Sequence, residues 1–419
     1  MAQSNTMTAV SDLVKGYRKT ATKLYPAFKS RVEEFSWVDD IDDEEIIPSG
    51  RENLIPLDIK RGYGTAMIPD GGYEARTVTP AMNEGSFSFV EASSRFFISR
   101  LARAFDERAR KQQIIRQIKY QSKKSLESLA RRVGLQFYGF STGLVCKTST
   151  AATATTGTYT INSGFGVSGI SNGTYLASLF EVGDGVAIAT GGTLTSNAIG
   201  TVSAKATTPT LTIVWGGSVV SANNDEIVFA NAVTDATVAA TDYGRWPSGL
   251  LDGITSTSVM GLSSSTEANW AAAINNSSGG RFSYVSLKKA RQAIMNSSDG
   301  TLSDVIWSNG VENDVEAGER SARIYSSSAL DLDGSVKAKG VTFRTSQLVP
   351  PGYAFVLDKS KAMGKKLLTD KPDADGSVDF GDLYKAEDRS GWKGGFSLIM
   401  AYVWRCRGAA GLYSGLTEQ

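Results

Sequence analysis

RKQQIIRQIKYQSKKSLESLARRVGLQFYG, residues 110–139, decides the fold class of this 419-residue chain. Apolar residues recur there at helical spacing, and no proline interrupts the segment from Phe97 to Tyr138, where Gly134 is the first glycine. We therefore predict one helix from Phe97 to Tyr138, which at 1.5 Å per residue would be about 60 Å long. Eleven Lys or Arg residues and three acids lie between Arg100 and Arg132, so most of this helix surface is basic.

The positive charge of the helix must be offset elsewhere, because the whole chain carries 44 basic and 43 acidic side chains. VEEFSWVDDIDDEEIIP, residues 32–48, places eight acids in thirteen positions. Such a charge run is usually a solvated arm. Here Phe35, Trp37 and Ile41 interleave with the acids, so this acidic arm also has an apolar face that can pack.

The composition excludes several classes of function. There is no histidine, which removes a Ser-His or Cys-His nucleophile pair and a His-ligated metal site. Cys146 and Cys406 are too few for a disulfide framework or a thiolate zinc site. No nucleophile elbow, phosphate-binding glycine loop or metal-ligand spacing occurs. We predict a structural protein, not an enzyme, without a cofactor or metal.

The termini and the apolar runs give the expected compartment. The first residues, MAQSNTMTAV, lack the charged and apolar regions of a secretory signal. The longest apolar run, FSLIMAYVW at residues 396–404, is shorter than the ~18 residues of a membrane span and is typical of a buried strand. We expect a soluble protein that is made in a cytoplasm and does not bind a membrane.

A β-hairpin is predicted between residues 49 and 94. Strand-like runs flank the sequence Pro69-Asp70-Gly71-Gly72. Proline fixes one backbone dihedral and glycine supplies a positive φ, so this sequence predicts a turn. No core for the hairpin is evident, which indicates that it packs on another subunit.

The composition changes sharply at Lys147. Only six residues are charged between Lys147 and Val233, and runs such as TLTIVW and DEIVFANA are separated by Gly, Ser and Asn. This pattern predicts a small β-barrel or sandwich. The chain on both sides has mixed helix and strand patterns, so we predict an inserted domain.

Mixed patterning returns after residue 235. SYVSLKKARQAIMNSS, residues 283–298, predicts a helix capped by Ser283, and DVIWSNGVENDVEAGE, residues 304–319, predicts a buried strand leading into a helix. GVTFRTSQLVPPGYAFVLDKS, residues 340–360, predicts two strands around a Pro-Pro-Gly turn.

The order of these segments resembles the major capsid proteins of tailed double-stranded-DNA bacteriophages. In that family an N-terminal arm precedes the E-loop hairpin, the spine helix of the peripheral (P) domain and the axial (A) domain. SFSFVEASSRFFISRLARAF, residues 86–105, looks like the exit of the E-loop into the P-domain. VIWSNGVENDVEAG, residues 305–318, and residues 340–360 are similar to the family's late strand–helix and two-strand segments. The resemblance covers most of the chain outside residues 147–233.

The resemblance implies an α+β fold of the tailed-phage capsid type with an inserted all-β barrel or sandwich. The expected division is an N-terminal arm (1–50), the E-loop (51–96), the spine helix with the start of the core (97–146), the inserted β-domain (147–233), and the A-domain with the remaining P-domain (234–419).

The resemblance also implies a function. Copies would form hexamers and pentamers of an icosahedral head, a virion shell assembled in the cytoplasm of a bacterial host. Double-stranded DNA would be packaged inside and bound non-specifically, and scaffolding, portal and decoration proteins are candidate partners. Some relatives cross-link an E-loop Lys to an Asn near the C-terminus. Lys60 is available, but no Asn follows Asn313, so we predict a shell held without covalent links.

In such shells the arm and the spine helix lie towards the interior, close to neighbouring subunits. The resemblance therefore implies that the acidic arm of one copy covers part of the basic helix of another. The predicted intersubunit contact joins four acids to four bases. They are Asp39, Asp40, Asp42 and Asp43, and Arg116, Lys119, Lys123 and Lys124.

Three alternatives remain open from the sequence. The shell protein of a cargo-enclosing bacterial nanocompartment uses the same fold. A surface glycan-binding protein would explain the Thr/Ser/Gly-rich segment but would need an export signal. A glycosidase with an attached β-domain would need a convergent pair of carboxylates, which the sequence does not indicate.

Overall fold

The structure, a computed structural model, describes residues 33–49, 52–60, 81–99, 112–149, 152–190, 193–206, 210–230, 243–277, 279–323, 340–368, 378–380, 384–385 and 391–418. The chain divides into two compact units. The first comprises Met1–Asp42, Ser88–Phe137 and Lys365–Tyr402. The second comprises Asp43–Phe87, Tyr138–Gly364 and Val403–Gln419.

Five α-helices are described in chain order. They are α1 (Gln112–Tyr138), α2 (Gly173–Ser178), α3 (Leu250–Thr255), α4 (Tyr284–Ser298) and α5 (Asn309–Arg323). Short 3-10 turns lie at Glu33–Trp37, Asp43–Glu45, Gly164–Gly166, Ala268–Trp270 and Arg407–Ala409. Within the described residues, no helix has the length and apolar character needed to cross a membrane.

The strands, in chain order, are β1 (Asp39–Asp40), β2 (Ile47–Ser49), β3 (Glu52–Lys60), β4 (Ala81–Phe87), β5 (Val90–Ser99), β6 (Leu144–Thr148), β7 (Ala152–Asn162), β8 (Gly185–Thr190), β9 (Thr193–Lys205), β10 (Thr210–Ser221), β11 (Glu226–Phe229), β12 (Ser258–Val259), β13 (Leu262–Ser263), β14 (Ile274–Asn276), β15 (Asp304–Trp307), β16 (Thr342–Thr345), β17 (Ala354–Leu357), β18 (Met363–Leu368), β19 (Val378–Phe380), β20 (Tyr384–Lys385), β21 (Gly391–Trp404) and β22 (Ala410–Tyr413).

The first unit contains a sheet built around β21. Its order is β1-β18-β21-β19, and β5 and β20 also pair with β21. β5 and β21 are antiparallel from Val90↔Met400 to Ser99↔Gly391. Leu398 and Met400 of β21 are fully buried, as the apolar run at residues 396–404 predicted.

The long helix is confirmed, but its predicted start at Phe97 is wrong. Phe97 and Ile98 belong to β5, where they pair with Lys393 and Trp392 of β21. Aromatic and β-branched residues are favoured in strands, and here the partner strand overrides the helical spacing. α1 is described from Gln112, and residues 100–111 lie outside the described part. In the C-terminal half of α1, Leu126, Leu129, Val133 and Phe137 are all buried.

The second unit contains a five-stranded sheet in the order β14-β22-β17-β15-β16. β14 is parallel to β22 and β15 to β16, whereas β17 is antiparallel to both of its neighbours. The predicted strand and helix at residues 304–319 are β15 and α5. Ser283 caps α4 as predicted, because its side chain accepts a hydrogen bond from the backbone of Ser286. α4 buries Leu287, Ala290 and Ile294 in the core beside the sheet.

The hairpin pairing is confirmed, since β3 and β4 are antiparallel and β2 extends the sheet beyond β3. The turn at Pro69–Gly72 lies outside the described residues. The expectation that the hairpin lacks a core in its own chain is wrong for its base. Ile55 and Leu57 are buried, the Ser86 backbone N–H donates to the Met260 carbonyl at 3.0 Å, and a Cβ on Gly85 would meet both Leu57 and Met260.

The segment with few charges forms a closed barrel in the order β10-β7-β6-β11-β8-β9. Its first strand, β6, begins at Leu144, three residues before the change in composition. β6 pairs with β11 through Val228↔Leu144 and Ile227↔Cys146, so these residues belong to the barrel. Inside the barrel the Trp215 indole N–H donates to the Tyr159 hydroxyl at 2.8 Å. Burial of Cys146 raises the pKa of its thiol, so the thiol stays protonated.

Candidate assembly interface

The acidic arm is anchored by its apolar residues. Trp37, Val38 and Ile41 are buried, although acids surround them in the sequence. The Trp37 ring meets Phe137 of α1 edge-on at 6.4 Å between centroids, and Phe137 meets Tyr402 of β21 in the same way at 5.5 Å. Edge-to-face aromatic pairs of this kind add to the stabilisation from buried area. The arm therefore packs on the C-terminal end of α1 in its own chain.

Lys365 of β18 forms two hydrogen bonds with the backbone of the arm. Its ammonium donates to the Val38 carbonyl at 2.8 Å, and its own carbonyl accepts from the Ile41 N–H at 2.9 Å. The ammonium also lies 3.3 Å from a carboxylate oxygen of Asp40, with side-chain exposures of 8% for Lys365 and 73% for Asp40. The next residue, Lys366, donates to the Ile41 carbonyl at 2.8 Å. One carboxylate of the predicted contact thus has a basic partner within its own chain.

A second arm carboxylate is paired in the other compact unit. Arg405 donates to Glu45 at 2.7 Å, and the Arg405 backbone N–H donates to the Ala362 carbonyl at 3.0 Å. These basic partners, Lys365 and Arg405, were missed from the sequence because they lie more than 300 residues from the arm. The only sequence signal was the adjacent Lys365-Lys366 pair at the start of a strand.

The eight residues of the predicted contact are placed as follows. Asp42, Lys123 and Lys124 are exposed, and Asp39 is half-buried. Lys124 forms an ion pair of 2.9 Å with Glu127 of the next helical turn. Asp43 lies in a 3-10 turn and Arg116 and Lys119 lie in α1, but their side chains are outside the described part. The contact between arm and helix of two copies therefore stays a prediction.

Two polar side chains are buried in this region, Glu34 of the arm and Tyr402 of β21. The Tyr402 hydroxyl has no hydrogen-bond partner among the described residues. Burial raises the pKa of Tyr402 well above its ordinary value, and the charge of Glu34 raises it further. Glu34 was not singled out from the sequence, and its burial distinguishes it from the exposed acids of the same run.

The barrel contacts the loop before β17 through α2. The Tyr175 hydroxyl donates to the Leu348 carbonyl at 2.8 Å, and Phe229 at the end of β11 stacks on Trp246 at 6.4 Å between centroids. Most of the remaining barrel surface is uncharged, and Val182, Val214 and Val220 are exposed. The barrel thus offers an outer surface with few charges.

No family model matches the chain, and no curated protein matches it. Among solved structures, the capsid asymmetric unit of cyanophage A-1(L) is similar over 92% of this chain and 93% of that chain, with a TM-score of 0.50 and 11% sequence identity. The chain has a phage capsid fold. The capsid of a native GTA particle (TM-score 0.43, 8% identity, 92% and 91% covered) and that of Myoviridae phage XM1 (TM-score 0.42, 9% identity, 91% and 90% covered) are also similar.

The capsid fold confirms the fold class expected from the resemblance to tailed-phage capsid proteins. The likeness extends over nearly the full length of both chains. It concerns the fold, since the two sequences share 11% of their residues.

Proposed function

We propose that this protein is a major capsid protein whose copies assemble, through hexamers and pentamers, into the icosahedral head of a virion that encloses double-stranded DNA. The observation that carries this proposal is the capsid fold, shared over 92% of the chain with the cyanophage capsid. The proposed role is structural.

Within this proposal the parts of the chain have separate tasks. The β3–β4 hairpin serves as the E-loop and α1 as the spine helix of the P-domain. The five-stranded sheet belongs to the A-domain, and the barrel is the inserted β-domain. Assembly takes place in a bacterial host cytoplasm, and scaffolding, portal and decoration proteins are its partners.

Electron microscopy of the purified protein tests the proposal directly. We expect closed shells with five-fold and six-fold capsomers, and in infected cells the shells should protect DNA from nuclease. A chain that stays monomeric by light scattering at high concentration, even with its scaffold supplied, would contradict the proposal. Shells that enclose a protein cargo and no DNA would favour a nanocompartment instead.

The charges of the arm and of α1 are proposed to match between neighbouring copies. Exposed ion pairs each contribute ~0–1 kcal/mol, so a single substitution should do little. A network repeated at every contact of a shell has a larger total effect and fixes the register between copies.

A charge reversal tests this match. Because Asp40 already pairs with Lys365, it should be left in place, and Asp39, Asp42 and Asp43 changed to Lys. We expect fewer or misassembled shells. Lys124 is left in place for the same reason, because it pairs with Glu127, and reversing Arg116, Lys119 and Lys123 to Glu in the same chain should partly restore assembly. No restoration by the second set would mean that the arm and α1 are not partners.

A further inference from the structure

We propose that the exposed side of α4 formed by Tyr284, Val285, Lys288 and Lys289, here the α4 patch, binds the barrel turn Glu181–Asp184 of a second copy. The inference rests on the proposed shell function, because it requires neighbouring copies. It adds a specific contact through which the barrel would take part in capsomer formation.

The α4 patch combines apolar and cationic groups. Tyr284 and Val285 are 63% and 59% exposed, and Lys288 and Lys289 are exposed one turn further along the helix. The Lys288 ammonium lies 4.8 Å from the centroid of the Tyr284 ring, a cation–π distance. The opposite side of α4 is buried in the core, so the helix is fixed while this side faces outward.

The barrel turn carries the opposite charge and is held by hydrogen bonds of its own residues. Val182 is 62% exposed at its tip, between the exposed Glu181 and the half-buried Asp184. The Asp184 carboxylate accepts from the Glu181 N–H at 2.7 Å, and the Asp184 N–H donates to the Glu181 carbonyl at 3.1 Å. Gly183, at a φ of +102°, donates to the Val202 carbonyl at 2.8 Å. A turn that is already ordered loses little entropy on binding.

The patch and the turn lie at the same end of the five-stranded sheet. Asn276, Tyr413 and Ala354 mark this end, because Asn276 pairs with Tyr413 and Tyr413 with Ala354. α4 begins eight residues after Asn276, and the Tyr413 hydroxyl donates to the Ser286 carbonyl at 3.0 Å.

The barrel attaches at this end as well. Tyr175 of α2 binds the Leu348 carbonyl in the loop that leads to β17, and the turn Glu181–Asp184 follows α2 after two residues. In a ring of copies related by rotation, each contact joins two different surfaces of the same chain, so the turn of one copy can bind the patch of the next.

The charges and the exposed apolar side chains of the α4 patch match those of the barrel turn. Two carboxylates flank an exposed valine on one side, and two ammonium groups lie beside an exposed tyrosine and valine on the other. The acidic arm fits less well, because Trp37, Val38 and Ile41 are buried in their own chain, and Glu45, two residues before the exposed Ile47, is already paired with Arg405. The phosphates of DNA would pair with Lys288 and Lys289 but would make no apolar contact with Val285.

Disulfide trapping in the full-length protein tests the contact. The double variant Val182→Cys, Val285→Cys should give, in assembled shells under oxidising conditions, a ladder of covalent multimers on a non-reducing gel. Each single variant should remain monomeric on the same gel and serves as the matched control. A mixture of the two single variants should give dimers but no ladder, because each copy then carries one half of the contact.

Charge substitution provides a second measurement that does not depend on disulfide geometry. Lys288→Glu with Lys289→Glu should lower the yield of shells about tenfold, since like charges would face each other across the contact. Adding Glu181→Lys to that chain should recover part of the yield.

The outcomes separate the contact from the function. Wild-type shells together with double-cysteine shells that give no ladder, and a normal shell yield for the Lys288→Glu, Lys289→Glu variant, would overturn the contact and leave the capsid function standing. If that charge variant assembles normally but retains less DNA, the patch faces DNA, and the contact is again overturned. If the wild-type chain forms no shell, the function fails and the contact fails with it.

Discussion

The barrel and the five-stranded sheet are both β-structures within one compact unit, yet the chain builds them in opposite ways. All six barrel strands come from residues 144–229 in one continuous segment. The five strands of the sheet come from segments spread between residues 274 and 413, and the neighbours β14 and β22 are more than 100 residues apart. The strands of a continuous segment can form all their backbone hydrogen bonds with one another. A sheet built from distant segments needs further contacts that hold those segments in register.

The polar contacts of the two regions differ accordingly. In the sheet, Arg344 of β16 binds Asp304 of β15 at 2.6 Å. The Glu418 carboxylate accepts from the Ser308 hydroxyl at 2.5 Å and from the Gly352 N–H at 2.6 Å. In the barrel, the ion pair between Lys147 and Glu226 is longer, at 3.8 Å, and the interior is filled by aromatic and aliphatic side chains. The sheet thus adds a short ion pair to an apolar core, whereas the ion pair described in the barrel is longer.

The largest expected effect concerns the boundary of the barrel. We propose that a fragment of residues 141–231 folds alone, because it contains every barrel strand. A fragment of residues 147–233 lacks most of β6, including Leu144 and Cys146, which pair with β11. It should remain unfolded. Circular dichroism and thermal melting check this, with a cooperative transition expected for the longer fragment alone.

If both fragments melt without cooperativity, the barrel depends on the sheet and is not an independent domain. If both fold equally well, the first half of β6 contributes little to barrel closure.

The second prediction targets close packing in the barrel. A Cβ on Gly200 would lie 2.5 Å from the Trp215 ring and 2.7 Å from the Val214 carbonyl, whereas a Cβ on Gly216 would approach nothing closer than 3.8 Å. Gly200→Ala should therefore destabilise the protein by about 2–3 kcal/mol, the cost of overpacking a filled core. Gly216→Ala is the matched control and should leave the urea-unfolding midpoint unchanged. Equal midpoints for the two variants would show that the barrel adapts to added volume.

Elements with local signals were predictable from the sequence. The helical spacing of α1, the Ser283 cap of α4 and the strand–helix order of β15 and α5 depend on residues that are close together in the chain. The barrel was indicated by composition, since few charges and frequent turn residues suit short strands with a common interior. The strand at Phe97 was missed because its partner, β21, lies some 300 residues away and its apolar spacing also fits a helix.

The candidate interface was less predictable for the same reason. The interleaved Trp37 and Ile41 correctly indicated that the arm packs against something. Their neighbours Phe137, Lys365 and Tyr402 come from α1, β18 and β21, and no local pattern joins these elements to the arm. Predictions from charge alone located the acids but not their partners in the same chain.

The third prediction targets the paired charges of the sheet. Arg344→Met would leave the Asp304 carboxylate, which is 4% exposed, with the Ser303 hydroxyl as its remaining described side-chain donor. We expect a loss of about 2–3 kcal/mol, at the lower end for a broken buried pair because Arg344 is 24% exposed. Lys147→Met removes the longer barrel pair and should cost less than about 0.5 kcal/mol. Adding Asp304→Asn to Arg344→Met should recover part of the lost unfolding free energy, as measured by urea unfolding. If the second change recovers none of it, the unpaired carboxylate is not the cause of the loss.

The smallest expected effect concerns the hydrogen bond that joins the two regions. Tyr175→Phe removes the bond to the Leu348 carbonyl and should cost about 1 kcal/mol near neutral pH. Burial, and then the nearby Tyr353, raise the pKa of Tyr175 well above its ordinary value. A tyrosine whose pKa is higher in the folded state stabilises that state below about pH 10, and the stabilisation is lost as the pH rises beyond it. The thermal midpoint of Tyr175→Phe should therefore fall less than that of the parent protein between pH 9 and pH 11.

Tyr413→Phe, in the sheet, is the comparison variant. Burial also raises the pKa of Tyr413, but less strongly. The thermal midpoint of Tyr413→Phe should therefore fall more steeply with pH than that of Tyr175→Phe. If Tyr413→Phe flattens the pH profile more than Tyr175→Phe does, the barrel attachment is not the site where alkaline pH acts.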